Sequence, residues 1–262
     1  MLGFSLLKDY PNIFHFTTSR QGGVSEGNYG TLNGSYYSGD KKVQVDRNWE
    51  KIKAYAPEEA THLIQPYQTH GDSVLVIDSA FLSLPSSAQT DRLYGVDALV
   101  TNQKGVLLTV ATADCVPLTL YDPVKQVAGV VHAGWRGTVK HLVAKTVAMM
   151  NSRFDCDSRD IRCGIGPSIS LQAFEVGDEV VHAFKQAQFR MNDITSWHPE
   201  SGKYHVDLWQ ANNYLLLKSG VKEQHISCAH ICTYLRHEEF FSARRLGIKS
   251  GRIITGIQIN KE

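Results

Sequence analysis

The stretch from Asp97 to Met150 constrains the fold most, because short apolar runs in it lead into an amphipathic helix. The runs are bounded by polar, Gly or Pro residues, as buried strands are: Val106–Thr112, Val116–Tyr121 and Gln126–His132. The apolar residues after them recur with helical spacing: Val139, Leu142, Val143, Thr146, Val147 and Met150. Thr138 is the predicted N-cap of this helix. Cys115 and His132 lie where strands begin or end, and from there side chains can reach a cleft.

The rest of the chain mixes strands and helices without regular βαβ units. Strands are predicted in Ile13–Thr18, Ile161–Ser170, Ile226–Tyr234 and Arg252–Ile259. Leu63–Asp78 is predicted to contain a strand, a turn at His70-Gly71-Asp72 and a second strand, Val74–Ile77. Helices are predicted in Val43–Ala54, Gly177–Gln188 and Leu208–Lys218, whereas Phe81–Leu93 is predicted to be irregular. No long linker, repeat, G-x-G-x-x-G motif or P-loop is present. We therefore expect one α+β domain over residues 1–262, with a mixed sheet.

Composition limits the partners of this chain. Hydrophobic residues make up 42% of its 262 residues, enough for a substantial core. The formal charge of +1 gives no general attraction to nucleic acid or anionic membranes. Five cysteines, an odd number, are not typical of a disulfide framework and favour a reducing compartment. Neither a signal peptide nor an apolar run of about 18 residues is evident, so we expect a cytoplasmic protein.

Three residues form a candidate metal site: His70, Cys115 and His132. A thiolate and two imidazoles suit zinc, and three protein ligands with an open fourth position are typical of a catalytic site. No C-x-x-C pair, the usual mark of a structural site, is present. Because the three residues are far apart in the sequence, their spacing alone also fits a buried cysteine with histidines in turns. A rival cluster is Cys228, His230 and Cys232, which would share one face of a strand or simply face the core.

Two arginines are candidate contacts for an anion. Arg20 lies in a glycine-rich loop, Ser19–Ser25, where backbone N–H groups and a guanidinium can meet. Arg136 lies at the predicted helix N-terminus, which favours phosphate. Each could equally belong to a plain surface turn. Asn33, at the end of the loop that follows Arg20, is a third candidate substrate contact. Asp114, beside Cys115, is a candidate catalytic residue that could orient a ligand or move a proton, or could be structural.

Six motifs together are similar to the YfiH-like family, which is described both as multicopper polyphenol oxidoreductase or laccase and as purine nucleoside phosphorylase. The motifs cover nearly the whole chain: T-x-S-R-x-G-G-V-S (Thr17–Ser25), Q-T-H-G (Gln68–Gly71), D-A-L-V-T (Asp97–Thr101), A-D-C-V-P (Ala113–Pro117), H-A-G-W-R-G (His132–Gly137) and I-G-P-S-I (Ile165–Ile169). The resemblance implies that His70, Cys115 and His132 are zinc ligands. It also implies a layered α/β/β fold, shared with toxin deamidases that use a Cys–His pair.

The implied activity is phosphorolysis of adenosine, inosine, guanosine and methylthioadenosine, with adenosine deamination. Inorganic phosphate and a purine nucleoside are then the expected partners. The sequence departs from the family pattern at Trp49, where relatives often carry Arg, at Ser168, where they often carry Cys, and at Phe174, where Tyr is common. The first departure could weaken contacts to substrate or phosphate. The oligomeric state is not predicted.

Three competing hypotheses follow from the same residues. A multicopper oxidase needs paired histidines, and the sequence contains no H-x-H, which disfavours copper. A cysteine hydrolase or deamidase could use Cys115 as nucleophile and His132 as base. A zinc-stabilised binding protein without catalysis is the third. Editing of cell-wall precursors, an activity linked to one relative, stays open as well.

Overall fold

Strands form most of the molecule's core. In the computed structural model, which describes residues 1–56 and 61–261, thirteen strands are found. They are β1 Ile13–Thr17, β2 His62–Ile64, β3 Ser73–Val76, β4 Val96–Thr101, β5 Val106–Thr112, β6 Val116–Asp122, β7 Val127–Ala133, β8 Arg162–Ile165, β9 Glu175–Val176, β10 Thr195–His198, β11 Lys203–Val206, β12 Ile226–Cys228 and β13 Ile253–Ile259.

Nine α-helices are found in the same described residues, and most are short. They are α1 Lys42–Lys53, α2 Ser79–Leu82, α3 Ser86–Leu93, α4 Trp135–Val139, α5 Leu142–Phe154, α6 Asp178–Gln186, α7 Met191–Ile194, α8 Leu208–Lys218 and α9 Ala243–Leu246. None of the helices in this part of the chain is long and apolar enough to cross a membrane.

The strands form three sheets, and two of these mix parallel with antiparallel pairs. The largest has the order β12-β8-β6-β7-β4-β3, in which β6, β7 and their neighbours β4 and β8 pair antiparallel, while the outer strands pair parallel. A second sheet has the order β1-β13-β5-β2, and a small third sheet has the order β10-β11-β9. The predicted α+β class with a mixed sheet is confirmed.

Alternation of side chains along the strands produces the layers. In β7, Val127 and Val131 pack with the helical layer of α5, α6 and α8, whereas Ala128 and Val130 pack against the second sheet. In β5, Leu108 faces the first sheet and Leu107 faces α1. Successive residues thus serve opposite faces, which is why these strands are apolar throughout and read as continuous hydrophobic runs.

Several local predictions are wrong. Thr138 is not an N-cap: it lies inside α4, and its hydroxyl donates to the carbonyl of Gly134 at 3.0 Å. The longer helix α5 begins after His141, whose φ of 60° breaks the helical path. The irregular segment predicted over Phe81–Leu93 contains the second half of α2 and all of α3. The strand predicted to Tyr234 ends at Cys228.

Candidate metal centre and its cleft

Strand pairing brings Cys115 and His132 together. The antiparallel register of β6 and β7 places Val116 opposite Ala133 and Pro117 opposite His132. Cys115 directly precedes β6, and His132 is the second-last residue of β7. The two residues therefore lie at the same end of the sheet. The close approach of these two residues follows directly from the fold.

His70 reaches the same sheet end from the turn between β2 and β3. The side chain of Gln68 extends β2 along β5, because its amide group donates to the carbonyl of Ala111 at 2.9 Å and accepts from the N–H of Ala111 at 2.8 Å. The chain then turns at His70, which has a φ of 61°. The turn is thus fixed on both sides of the histidine.

His70, Cys115 and His132, here called the His-Cys-His group, lie close enough together that they could hold a metal ion. One ligand atom from each lies within 4.8 Å of those of the other two, and the imidazole centroids of His70 and His132 are 4.8 Å apart. No other group of three His, Cys, Asp or Glu residues in the described chain meets this condition. His132 is buried and His70 is exposed, so the group opens to one side.

Asp97 accepts hydrogen bonds from both histidines of the group, from the imidazole of His132 and from the backbone N–H of His70. It is fully buried, and its carboxylate accepts from Nδ1 of His132 at 2.7 Å. The same carboxylate accepts the backbone N–H groups of Thr69 at 3.3 Å, His70 at 3.1 Å and Gly71 at 2.7 Å. Burial alone would raise the pKa of Asp97, but the hydrogen bond and charge of His132 and the amides hold it below its usual value. A carboxylate behind an imidazole is the usual orienting partner of a metal-bound histidine.

Cys115 is poised to ionise. Burial opposes the charged form, but the charge and hydrogen bond of His132, together with those of His70, outweigh it and lower the pKa of the thiol. In turn, burial disfavours the protonated imidazole of His132, but the charges and hydrogen bonds of Cys115 and Asp97 raise its pKa. A thiolate beside two imidazoles is the donor set expected for a metal ion.

Gly134 is required by the close packing around the sulfur. A Cβ at this position would lie 2.9 Å from Sγ of Cys115 and 3.2 Å from Cδ2 of His70. No side chain can occupy that place without moving a ligand. The glycine of the H-A-G-W-R-G motif is therefore part of the geometry of the site.

The His-Cys-His group lines a cleft of about 630 Å³. Its walls come from segments far apart in the chain, and they include Ser35, Tyr37, Thr112, Asp114, Trp135, Phe174, Arg244 and Arg252. Thr112 is 1% exposed, and its hydroxyl has no hydrogen-bond partner among the described residues. The cleft thus combines a candidate metal group, two guanidinium groups and aromatic rings.

Asp114 anchors one wall of the cleft. Its carboxylate, 9% exposed, accepts the hydroxyl of Thr233 at 2.7 Å, the hydroxyl of Ser242 at 3.0 Å and the backbone N–H of Arg244 at 2.7 Å. The contacts of Ser242 and Arg244 hold the segment that carries Arg244, and the contact of Thr233 holds the chain that precedes it. The side chain of Arg244 lies over the ring of Phe174, 5.5 Å from its centroid. Of the two roles considered from the sequence, the contacts support the structural one for this residue.

Asn33 anchors a further part of the cleft wall, around Ser35 and Arg252. It is fully buried, so it does not face the cleft. Its side-chain oxygen accepts the N–H of Ser35 at 3.1 Å and the N–H of Arg252 at 2.9 Å, while its amide donates to Asp40 at 3.0 Å. The guanidinium of Arg252 donates to carbonyls of its own segment. Burial lowers the pKa of this guanidinium, and the opposing effect of the nearby charges of Cys115 and Asp114 is smaller.

The structure does not place Arg20 or Arg136 in the cleft. Arg20 donates to the carbonyls of Gly30 at 2.8 Å and His237 at 2.7 Å and lies 4.8 Å from the ring centroid of Phe241. Arg136 is exposed and covers the ring of Trp135 at 4.3 Å. Neither is among the residues that line the cleft, and Asn33 is not among them either.

The rival cysteine cluster does not form a strand face. The strand ends at Cys228, and His230 has a φ of 51°.

Trp49 is 2% exposed, and its indole donates to the carbonyl of Gly34 at 2.8 Å, so this departure from the family pattern is a core residue. Ser168 is buried and accepts from Trp209. Phe174 is the one departure that lines the cleft.

Sequence reasoning missed Tyr37, Arg244 and Arg252 as cleft residues. The basic segment F-F-S-A-R-R contains Arg244, and its two adjacent arginines are the only signal that could have pointed to it. Nothing in the local sequence distinguishes Tyr37 or Arg252 from surface residues. Both are brought to the site by contacts with Asn33 or its neighbours.

Comparison with known proteins settles the family. The model of a family described as multi-copper polyphenol oxidoreductase laccase matches residues 14–260. The chain belongs to this family. It is 47% identical over 261 residues to a protein of Bacteroides thetaiotaomicron named purine nucleoside phosphorylase, covering 100% of this chain and 97% of that one. It is 41% identical to adenosine deaminase RL5 from an unknown prokaryotic organism, covering 95% of each.

Solved structures of relatives have the same fold. The YfiH protein of Bacillus licheniformis matches with a TM-score of 0.88 and 28% identity, covering 97% of this chain and 95% of that chain. YlmD of Geobacillus stearothermophilus matches with a TM-score of 0.85 and 30% identity, covering 96% and 93%. The resemblance inferred from the six motifs is confirmed.

Proposed function

We propose that this protein is a zinc-dependent purine nucleoside phosphorylase that also deaminates adenosine. The observation that carries the proposal is the His-Cys-His group, placed in a cleft that also contains Arg244 and Arg252. The names of the relatives from Bacteroides thetaiotaomicron and of adenosine deaminase RL5 support these two activities. Adenosine, inosine, guanosine and methylthioadenosine are the proposed substrates of phosphorolysis.

The donor set of the His-Cys-His group fits zinc. One thiolate and two imidazoles supply three ligands, and the exposed side of His70 leaves room for a substrate atom or water. The carboxylate of Asp97 fixes the tautomer of His132, so that its Nδ1 carries the proton and Nε2 is free to bind the ion. Bound zinc would supply Lewis acidity in the cleft. Copper stays disfavoured, because the sequence contains no H-x-H pair.

For phosphorolysis, Arg244 and Arg252 are the proposed phosphate contacts. Both line the cleft, and a guanidinium suits phosphate because it donates two parallel hydrogen bonds. An oxygen of inorganic phosphate forms a bond to C1′ of the ribose as the bond from C1′ to the purine nitrogen breaks. The electron pair of that bond leaves with the purine, which takes up a proton. The products are the free base and ribose 1-phosphate.

For deamination, water adds at C6 of adenosine, and ammonia leaves to give inosine. The Glu-containing signature of common zinc deaminases, H-x-E with P-C-x-x-C, is absent from the sequence. The deaminase activity therefore rests on a different arrangement of residues, namely the His-Cys-His group.

A cysteine hydrolase is the second candidate, and one observation favours it. Asp97, His132 and Cys115 are connected in the order acid, base and nucleophile, with 2.7 Å between the carboxylate and Nδ1. A hydrolase of this kind does not need a second imidazole on the sulfur, whereas His70 lies there too. We therefore place the metal-dependent phosphorylase first. Metal content separates the two, because zinc would block the thiolate.

The test combines elemental analysis with product identification. Protein purified without chelator is expected to contain close to one zinc per chain and to convert adenosine to adenine and ribose 1-phosphate only when phosphate is present. Cys115→Ala should lose both zinc and turnover. Zinc-free protein with full activity, copper in place of zinc, or unchanged turnover in the variant would overturn the proposal. Inosine formed without phosphate reports the deaminase separately.

A further inference from the structure

Tyr37 presents an open aromatic surface in the cleft. It lines the cleft and is 48% exposed. Its recorded ring contact is with Tyr67, at a centroid distance of 4.8 Å and an interplanar angle of 69°. An edge-to-face contact covers at most one face of a ring. At least one face of Tyr37 therefore has no aromatic partner among the described residues.

The other two large aromatic rings of the cleft are already covered in part. The guanidinium of Arg136 lies 4.3 Å from the ring centroid of Trp135. The guanidinium of Arg244 lies 5.5 Å from the ring centroid of Phe174. No cation lies over Tyr37 among the contacts of the described chain. Of these three rings, Tyr37 is the one most able to accept a further flat group.

The backbone that carries Tyr37 is held in place. Its N–H donates to the hydroxyl of Ser35 at 3.2 Å, and the N–H of Ser35 donates to the side chain of buried Asn33 at 3.1 Å. Behind the ring, Tyr67 is fixed by backbone hydrogen bonds and stacks on Tyr94 with centroids 4.9 Å apart. A ring that is already ordered loses little conformational entropy when a ligand stacks on it.

We propose that Tyr37 receives the purine base of the nucleoside and is a specificity-determining residue. This inference rests on the proposed function, since it assigns one wall of the same cleft. A purine is a flat π-system, and stacking on an aromatic side chain contributes roughly 1–3 kcal/mol per base. The phosphate contacts, Arg244 and Arg252, are separate residues of the cleft. Tyr37 therefore governs the affinity for the base and not the affinity for phosphate.

The experiment measures both Michaelis constants of zinc-loaded enzyme for Tyr37→Ala, Tyr37→Phe and wild type. Tyr37→Ala should raise KM for adenosine about tenfold or more, which is the conversion of about 1.4 kcal/mol. KM for phosphate should change less than about twofold. Tyr37→Phe keeps the ring and should restore the wild-type KM for adenosine. Tyr55→Ala, at a tyrosine that is 66% exposed and does not line the cleft, is the matched control.

Other outcomes identify what has failed. If wild type releases no base from adenosine, the proposed function fails. If wild type is active and Tyr37→Ala leaves KM for adenosine unchanged, only this inference is overturned. The exposed rings of Tyr37, Tyr67 and Tyr94 could instead cover a second copy of the chain. In that case Tyr94→Ala, at a ring outside the cleft, would change both the molecular mass by light scattering and KM, which would also overturn the inference.

Discussion

The two sides of the cleft are built in different ways. Cys115, His132 and Asp97 lie in or next to strands of the six-stranded sheet, and His70 lies in the turn that joins β2 of the four-stranded sheet to β3. The opposing walls, with Tyr37 and Arg244, lie in segments outside these strands, and Arg252 directly precedes β13. Strand pairing fixes the first side. Two buried polar side chains, Asn33 and Asp114, hold the second.

This difference separates two functions that a single cleft must perform. A metal centre needs ligand positions that do not vary, and antiparallel pairing of β6 with β7 supplies them. Substrate contacts can lie on segments held by a few hydrogen bonds, whose loss changes affinity without dismantling the core. Mutations on the first side should therefore change metal binding, and mutations on the second should change Michaelis constants.

Asp97→Asn should have the largest effect of the variants that keep all three ligands. The amide cannot accept all four hydrogen bonds that the carboxylate accepts, and it no longer stabilises the orientation of His132. Loss of such an outer partner typically weakens metal binding about 10–100-fold. Zinc affinity measured by competition with a chromophoric chelator should fall by this factor, and added zinc should restore most of the activity.

Asp72→Asn is the matched control for this prediction. Asp72 lies on the same turn but contacts Lys140 and Lys145 at the surface, so its loss should leave zinc affinity unchanged. If Asp97→Asn lost activity while zinc affinity stayed at the wild-type value, the metal interpretation would be wrong. The connection of Asp97, His132 and Cys115 would then favour the cysteine hydrolase.

Asp114→Asn should affect the other side of the cleft. The carboxylate accepts two hydrogen bonds from the segment of Arg244 and a third from Thr233, and hydrogen bonds to a charged group contribute roughly 1.5–3 kcal/mol each. With an amide in its place, Arg244 should be held less firmly, and KM for phosphate should rise roughly tenfold. Steady-state kinetics at saturating adenosine would measure this change.

Zinc content decides whether Asp114 is a positioning residue. Because Asp114 precedes Cys115, loss of zinc in Asp114→Asn would mean that the substitution had damaged the metal centre and not the wall. We expect zinc content to stay near the wild-type value. Ser242→Ala, which removes one of the three hydrogen bonds, should produce a smaller rise in KM for phosphate. Loss of zinc in either variant would contradict the separation of the two sides.

The metal side of the cleft was predictable from sequence for a physical reason. Cys115 and His132 flank apolar runs whose strand pairing is specified by their burial on both faces. Once these runs are read as adjacent antiparallel strands, the ends of the two strands must meet. For His70 the residues alone offer only the right donor chemistry, because the turn that carries it is far away in sequence, and the family motif is the stronger reason to include it. Its position depends on contacts of Gln68 and Asp97 that no local pattern reveals.

The residues that line the walls are not apparent from local sequence, because their anchors are long-range hydrogen bonds. Arg20 and Arg136 were chosen as anion contacts since each lies beside glycines or at a helix start, both common features of phosphate sites. Arg244 and Arg252 line the cleft because Asp114 and Asn33 hold their backbones from 130 and 219 positions away. A side chain that serves a distant backbone in this way leaves no periodic signal in the sequence. The position of Tyr37 in the cleft cannot be read from the sequence for the same reason.

The smallest catalytic effects are expected for Arg20→Ala and Arg136→Ala. Arg20 joins the segments around Gly30 and His237, so its loss should lower the free energy of unfolding by roughly 1–3 kcal/mol through unpaired carbonyls. Arg136 is exposed, and its loss should change stability by less than about 0.5 kcal/mol. Urea unfolding of zinc-loaded protein would measure both.

Neither variant should change KM for phosphate by more than about twofold, because neither guanidinium lines the cleft. A tenfold rise in either variant would mean that the phosphate site lies beyond the walls of Arg244 and Arg252, and that the glycine-rich loop or the start of α4 binds the anion after all.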